Sequence, residues 1–195
     1  MSTQARKERE RAERHQRIID TALELAETHG WEAVTVRKLA ERIEYSQPVL
    51  YSHFAGKQAI VSAVAEQGCA VMATELRAAR EAAADPEAAL GNIARAYLRF
   101  ASEHPARYDA MFVLKTDLNF GPDAPQALRD AFAEIQAPFR PFYQGPELAA
   151  RTEVAWSSMH GIATLDRAGR LVDALREQRL RVLIGEWRAA VGASA

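Results

Sequence analysis

The stretch from Thr35 to Lys57, reading Thr-Val-Arg-Lys-Leu-Ala-Glu-Arg-Ile-Glu-Tyr-Ser-Gln-Pro-Val-Leu-Tyr-Ser-His-Phe-Ala-Gly-Lys, constrains the fold of this chain more than any other. Thr35 is a good helix N-cap, and Val36, Leu39, Ala40 and Ile43 then recur at helical spacing along one apolar stripe. Glu44-Tyr45 interrupts that stripe. Ser46 can cap a second helix, Pro48 is tolerated in its first turn, and Val49, Leu50 and Phe54 restart the apolar face. Gln47, Pro48, Tyr51, Ser52 and His53 are left to point partly outward, a mixture suited to base edges, thymine methyls and phosphates. Two short helices presenting such a set read as a helix-turn-helix for duplex DNA.

The residues before this segment supply a third helix. From about Gln16 to Thr28, Ile18, Ile19, Ala22, Leu23 and Ala26 form an amphipathic face, and Gly30 ends it in the usual C-cap place. The shared core of the three helices is expected to be Ile18, Ala22, Leu23, Trp31, Val34, Leu39, Ile43, Leu50 and Phe54. The first ten or so residues are expected to fray. Residues 1–17 nevertheless carry six basic side chains (Arg6, Lys7, Arg9, Arg11, Arg14, Arg17) against Glu8, Glu10 and Glu13. A basic arm of this kind can pair with phosphate although the chain's net charge is only −1. A solvated helix start with Glu–Arg pairs explains the same residues.

Beyond Lys57 the chain is alanine-rich and free of any stretch that alternates over a strand length, and the whole chain is 48% hydrophobic. An all-α fold of about nine helices follows, with 195 residues dividing into residues 1–60 and residues 61–195. Expected helices span about 57–84, 86–103, 106–114, 126–143 (kinked or split at Pro138 and Pro141), 147–165 and 172–191. In the last, Leu180, Leu183, Ile184, Trp187 and Val191 make a continuous apolar seam. Cys69 is the single cysteine, which excludes an intrachain disulfide and a cysteine metal cluster. No apolar run of about 18 residues is evident and the N-terminus is too polar for a signal peptide, so a cytoplasmic protein is expected. No cofactor and no metal are expected.

The N-terminal unit resembles the DNA-binding domain of the tetracycline-repressor (TetR) family. The residues that carry the resemblance are Ile18-Ile19-Asp20-Thr21-Ala22, Gly30-Trp31, Thr35 to Ala40, Leu50-Tyr51-Ser52-His53-Phe54 and Gly56-Lys57. Trp156-Ser-Ser-Met-His160-Gly161 looks like the Trp-x-x-x-His-Gly signature of one ligand-sensing C-terminal branch. The resemblance implies an N-terminal DNA-binding domain followed by a helical ligand-binding and dimerisation domain. It implies that Arg37, Gln47, Pro48 and Tyr51 lie at the groove, with Thr35, Lys38, His53 and Lys57 near phosphates. Arg37 can hold guanine O6/N7 and Gln47 adenine N6/N7, and Pro48 offers an apolar edge to a thymine methyl. Lys57, at a helix start, adds its charge to free backbone N–H groups. Ser46 and Val49 stay open between core, cap and DNA contact. The blander readings are a structural pair on the first helix for Tyr51 and His53, and a solvated face for Arg37 and Lys38. Glu44 departs from the family pattern, which often has Gly there. If it must take a positive φ, it costs about 1 kcal/mol relative to Gly.

One such helix reads few base pairs, so a homodimer on a pseudo-palindromic operator is expected. The expected interface comprises Trp156, Leu180, Leu183, Ile184 and Trp187, with ordinary core as the alternative fate of the seam. Tyr97, Phe100, Met111, Phe112, Phe120, Phe132, Phe139, Phe142, Trp156, Met159 and His160 can line an apolar effector pocket. A small molecule bound there is expected to release the DNA, making the protein a repressor. The alternatives are a ligand-dependent activator, or a helical ligand-binding or protein-interaction module without DNA function. Catalysis is not expected: His160 stands near Ser157, Ser158 and Asp166, but no nucleophile turn, metal-ligand spacing or phosphate loop accompanies it.

Overall fold

The computed structural model describes residues 3–119 and 121–192. Among the described residues it is all-helical: α1 (Thr3–His29), α2 (Val36–Ile43), α3 (Gln47–Tyr51), α4 (Lys57–Glu81), α5 (Pro86–Glu103), α6 (Pro105–Phe112), α7 (Gln126–Gln136), α8 (Gly145–Arg167) and α9 (Arg176–Gly192). These fall into two compact units. One holds the described residues up to Gly68 together with His104–Asp123, and the other holds Cys69–Glu103 with the described residues from Ala124 onward. Phe120 lies outside the described residues.

In the first unit α1 starts well ahead of Gln16, which corrects the expectation of a frayed end. Residues 3–13 are exposed throughout, so packing does not hold this extension. Its Arg, Glu, Gln and Ala content favours helix, and same-face pairs such as Gln4–Glu8 (2.7 Å) and Arg6–Glu10 (3.7 Å) add to it. The buried face is Ile18, Ile19, Ala22, Leu25 and Ala26. Leu25 replaces the expected Leu23, which is half-buried. Trp31, Val34, Leu39, Ala40, Ile43, Leu50 and Phe54 complete the three-helix core. α6 is packed on it: the Trp31 indole N–H donates to the Ala106 carbonyl (2.8 Å). Gly68 lies tight against α6, since a Cβ there would stand 2.7 Å from Met111 Sδ.

α4 runs through both units and buries Ile60, Val61, Val64, Ala65, Cys69, Met72, Ala73 and Leu76. By length and composition it is apolar enough to cross a membrane, with mean hydropathy 1.2 over its best window, and half of that window is buried within the protein.

The second unit is organised around α5, whose Leu90, Ile93, Ala94, Tyr97, Phe100 and Ala101 are all buried. α7 stops at Gln136 and passes into a 3-10 turn at Ala137–Phe139, where the Pro138 ring cannot continue the helix. Glu134 is buried with both oxygens used, by Arg77 Nε (2.7 Å) and Arg80 Nε (2.9 Å), as a carboxylate taken out of water requires. A 3-10 turn at Asp173–Leu175 precedes α9, which therefore begins at Arg176 rather than Val172.

The apolar seam of α9 is corrected in its role. Leu183, Ile184, Trp187 and Val191 are buried within the single chain. Ile184 packs at Gly91 of α5, where a Cβ would meet its Cδ1 at 3.5 Å, and the Trp187 ring stands edge-on to Phe139 at 5.6 Å. A continuous apolar stripe requires a cover, and here this chain's own helices provide it. Leu180 and Trp156 are half-buried.

Candidate nucleic-acid interface

α2 is fixed at both ends by its sequence. The Thr35 hydroxyl accepts from the Lys38 amide (3.2 Å), satisfying one of the free donors of the first turn. At the other end Glu44 takes the left-handed conformation (φ 59°, ψ 35°), and its N–H and that of Tyr45 (3.0 Å) both donate to the Ala40 carbonyl. This is a helix stop that glycine usually supplies. Glu44 is the only non-glycine with positive φ among the described residues. The turn therefore takes the left-handed backbone that glycine commonly supplies, at a cost of about 1 kcal/mol for the side chain.

α3 is short, and Pro48 sits in its first turn. Ser46 occupies the N-cap position, but its hydroxyl makes no capping bond; the expected side-chain cap is absent, and only its carbonyl receives the amides of Val49 (3.0 Å) and Leu50 (3.3 Å). Ser52 closes the helix instead, its hydroxyl donating to the Val49 carbonyl (2.7 Å). Leu50 and Phe54 anchor α3 in the core and Val49 is half-buried. Gln47, Pro48, Tyr51 and Ser52 stand exposed.

Thr35, Arg37, Lys38, Ser46, Gln47, Pro48 and Tyr51 are exposed on these two helices. Arg37 Nε rests on Glu41 Oε1 at 3.0 Å, with both side chains more than half exposed. An exposed i,i+4 pair contributes about 0.3–0.5 kcal/mol, whereas a bidentate contact to guanine is worth about 1–3 kcal/mol. The side chain is thus parked rather than committed. Tyr51 is 55% exposed.

Two positions behave differently. Lys57 is half-buried, and its ammonium donates to the Trp31 carbonyl at 2.5 Å. Its first role is to tie the start of α4 to the turn after α1. His53 is half-buried against α1, its ring 6.0 Å from His15, and the His15 ring stacks on Phe54 at 4.3 Å. Burial holds the His53 imidazole below its ordinary value of 6.5, and the charges of His15, Arg11 and Arg14 act in the same direction. His15 was not among the residues singled out in the sequence. Its only signal there was its place one turn before Ile18 on the buried side of α1.

The residues expected to meet an effector divide between the units. Met111 and Phe112 belong to the first, where the Phe112 ring lies 4.8 Å from Tyr108. In the second, Tyr97, Phe100, Phe139 and Met159 are buried, and Phe132, Phe142, Trp156 and His160 are half-buried. The Trp156 indole N–H donates to the Tyr97 hydroxyl (3.1 Å), Phe132 meets Trp156 edge-on (6.3 Å), and the His160 ring stands 6.5 Å from Trp156. Burial lowers the His160 pKa. Phe139 instead lines a cleft of about 220 Å³ with Tyr143, Arg151, Val154 and Trp187. Among the described residues no group of three or more His, Cys, Asp or Glu is arranged to hold a metal ion.

Residues 18–64 match the profile of bacterial regulatory proteins of the tetR family, and residues 90–185 match that of the tetracyclin repressor-like C-terminal domain. An uncharacterised HTH-type transcriptional regulator of Mycobacterium tuberculosis is 29% identical over 160 residues, 80% of this chain and 71% of that protein. The class C tetracycline repressor protein of Escherichia coli is 51% identical over 49 residues, a quarter of this chain and 22% of the repressor. Among solved structures, a protein of Rhodococcus sp. RHA1 superposes with a TM-score of 0.73 at 23% identity, covering 90% of this chain and 94% of that one. A TetR-family transcriptional regulator of Streptomyces coelicolor superposes at 0.64 and 18% identity, covering 93% and 99%.

Proposed function

The chain belongs to the TetR family of bacterial transcriptional regulators, and from that premise we propose that it is a cytoplasmic repressor, released from its operator by a small molecule. The observation that carries the DNA half is the set of seven exposed residues on α2 and α3, held by a capped turn and with Arg37 only weakly engaged. Arg37, Gln47, Pro48 and Tyr51 read base edges, methyls and sugars in the major groove, while Thr35, Lys38, Ser46, His53 and Lys57 meet phosphates. The basic side chains of the α1 extension add backbone contacts.

Reading a useful length of DNA requires two copies on a pseudo-palindromic site. The face left open for a second copy lies on α8, α9 and the turn between them. There Val154, Leu165, Val172, Leu175 and Val182 are exposed apolar side chains. A Cβ on Gly161 or Gly185 would meet nothing within 4 Å, so both positions allow a neighbouring helix to come close. The effector reading rests on the cluster of Tyr97, Phe132, Trp156 and His160, which combines aromatic walls with an indole N–H, a phenol and an imidazole. A ligand that prefers the cluster in one state of the dimer shifts DNA affinity by its differential affinity for the two states.

The deciding experiment is fluorescence anisotropy with the protein's own upstream DNA over a series of salt concentrations. Specific, steeply salt-dependent binding supports the reading. Equal affinity for unrelated DNA, or none at low salt, overturns it.

A further inference from the structure

A cleft of about 360 Å³ opens between the C-terminal half of α5, the end of α8 and the start of α9. Five of its lining residues are arginines: Arg95, Arg99, Arg167, Arg176 and Arg179. Three carboxylates, Glu103, Asp166 and Glu177, share the lining, so two positive charges are left in excess. Asp166 is held by Arg176 Nη2 (3.0 Å) and Arg179 Nη2 (3.1 Å), and Glu103 approaches Arg99 Nε at 3.7 Å. Arg179 also donates from Nη1 to the Val172 carbonyl (2.7 Å), yet its Nε–H is buried with no hydrogen-bond partner. A buried donor without an acceptor is costly. Arg179 is one of the residues that line the cleft, so a shift of its guanidinium would let this donor meet an anionic oxygen there.

Apart from Ser102, the rest of the wall is apolar: Leu98, Ala101, Ile162, Ala163 and Leu180. A bare inorganic anion gains nothing from such a wall, and a neutral hydrocarbon gains nothing from the surplus arginines. The volume is that of a small-molecule site at the lower end of the usual range. Tyr97, Phe132, Trp156 and His160 do not line it, so it is a different place from the aromatic cluster. We propose that this cleft binds a small organic carboxylate, its head on the arginines and its apolar body along Leu98, Ile162 and Leu180.

The test uses the full chain, without DNA, and three probes in titration calorimetry: phenylbutyrate, the uncharged phenylbutanol, and inorganic phosphate. Phenylbutyrate is expected to bind saturably and at least about 10-fold more tightly than either of the others. In the double variant Arg99→Gln with Arg176→Gln, whose side chains are both more than half exposed, its affinity is expected to fall at least about 10-fold. Arg179 keeps Asp166 in that variant, so the helical circular dichroism is expected to persist. Should the variant not fold, Ser102→Trp, at an exposed lining position, serves instead by filling the cleft and abolishing binding. Four results overturn the proposal: no binding of phenylbutyrate up to about 10 mM, equal binding of the alcohol, equal binding of phosphate, or binding that survives these variants. Binding that survives them and disappears in Trp156→Ala places the ligand in the aromatic cluster, which supports the effector reading and sinks this one.

Discussion

The DNA-reading helices and the last two helices of the chain put the same kind of sequence pattern to opposite uses. In α2 and α3 the apolar residues are few and anchor a small core, and the residues with chemistry stand outside it. In α8 and α9 the aromatic residues and His160 are partly or wholly covered, and the apolar side chains left exposed, Val154, Leu165 and Val182, stand among charged neighbours such as Glu153, Arg181 and Glu186. The seam from Leu183 to Val191 looked like an interface because it was continuous, yet it is the chain's own core. Apolar periodicity shows that a face is covered and leaves open what covers it. An exposed polar set on a short, capped helix is more telling, because no packing demand explains it.

The largest effect tests that contrast directly. Ile184→Ala is expected to cost about 2–5 kcal/mol and Trp187→Ala about 3–5 kcal/mol of stability, from lost burial and the cavity left behind, read by urea denaturation at fixed protein concentration. Val182→Glu, at a position 54% exposed, is expected to leave the helical signal intact and split the dimer in sedimentation. If Ile184→Ala instead dissociates the protein with its stability unchanged, the two faces of α9 have been exchanged. At the reading end, Arg37→Ala or Gln47→Ala is expected to weaken cognate operator by about 1–3 kcal/mol while unrelated DNA binds as before. Lys57→Ala is expected to weaken every sequence alike and also to lower the melting temperature, because the Trp31 carbonyl loses its donor. A Lys57→Ala protein of unchanged stability would show that the internal bond contributes nothing.

The fold was legible because local signals agreed with one another. Thr35 capped α2 as its residue type predicts, His104-Pro105 ended α5, and Pro138 stopped α7. The α1 extension was missed because charged residues without an apolar face gave no periodicity, although their propensity and pairing suffice for helix. At the reading end, seven expected contacts stand exposed, but the internal engagements of Lys57 and His53 depend on Trp31 and His15, which are distant in sequence. No spacing rule links such partners. The arginine-lined cleft was invisible for the same reason: its side chains come from three helices, and each charge taken singly reads as a solvated face.

Glu44 sharpens the comparison at the backbone. Glycine there would relieve about 1–2 kcal/mol of left-handed strain and add about 0.4–1 kcal/mol of unfolded-chain freedom. Glu44→Gly is therefore expected to raise stability by about 0.5 kcal/mol and leave the operator sequence preference as it was. A changed preference would mean that the glutamate side chain itself shapes the contact with DNA.

The smallest effect separates stability from recognition at a single residue. His53 has its pKa held below 6.5 in the folded protein, so the unfolded chain takes up a proton first as pH falls. The stability contributed by keeping the ring neutral is complete above about 6.5 and is lost progressively as pH drops towards the folded pKa. A phosphate beside the same ring favours the cation and raises its pKa in the complex, so DNA binding takes up a proton over that same window. Stability and operator affinity should therefore move in opposite directions as the pH falls below about 6.5. His53→Gln is expected to flatten the affinity profile. A profile unchanged by that substitution would leave His53 as packing on α1 beside His15.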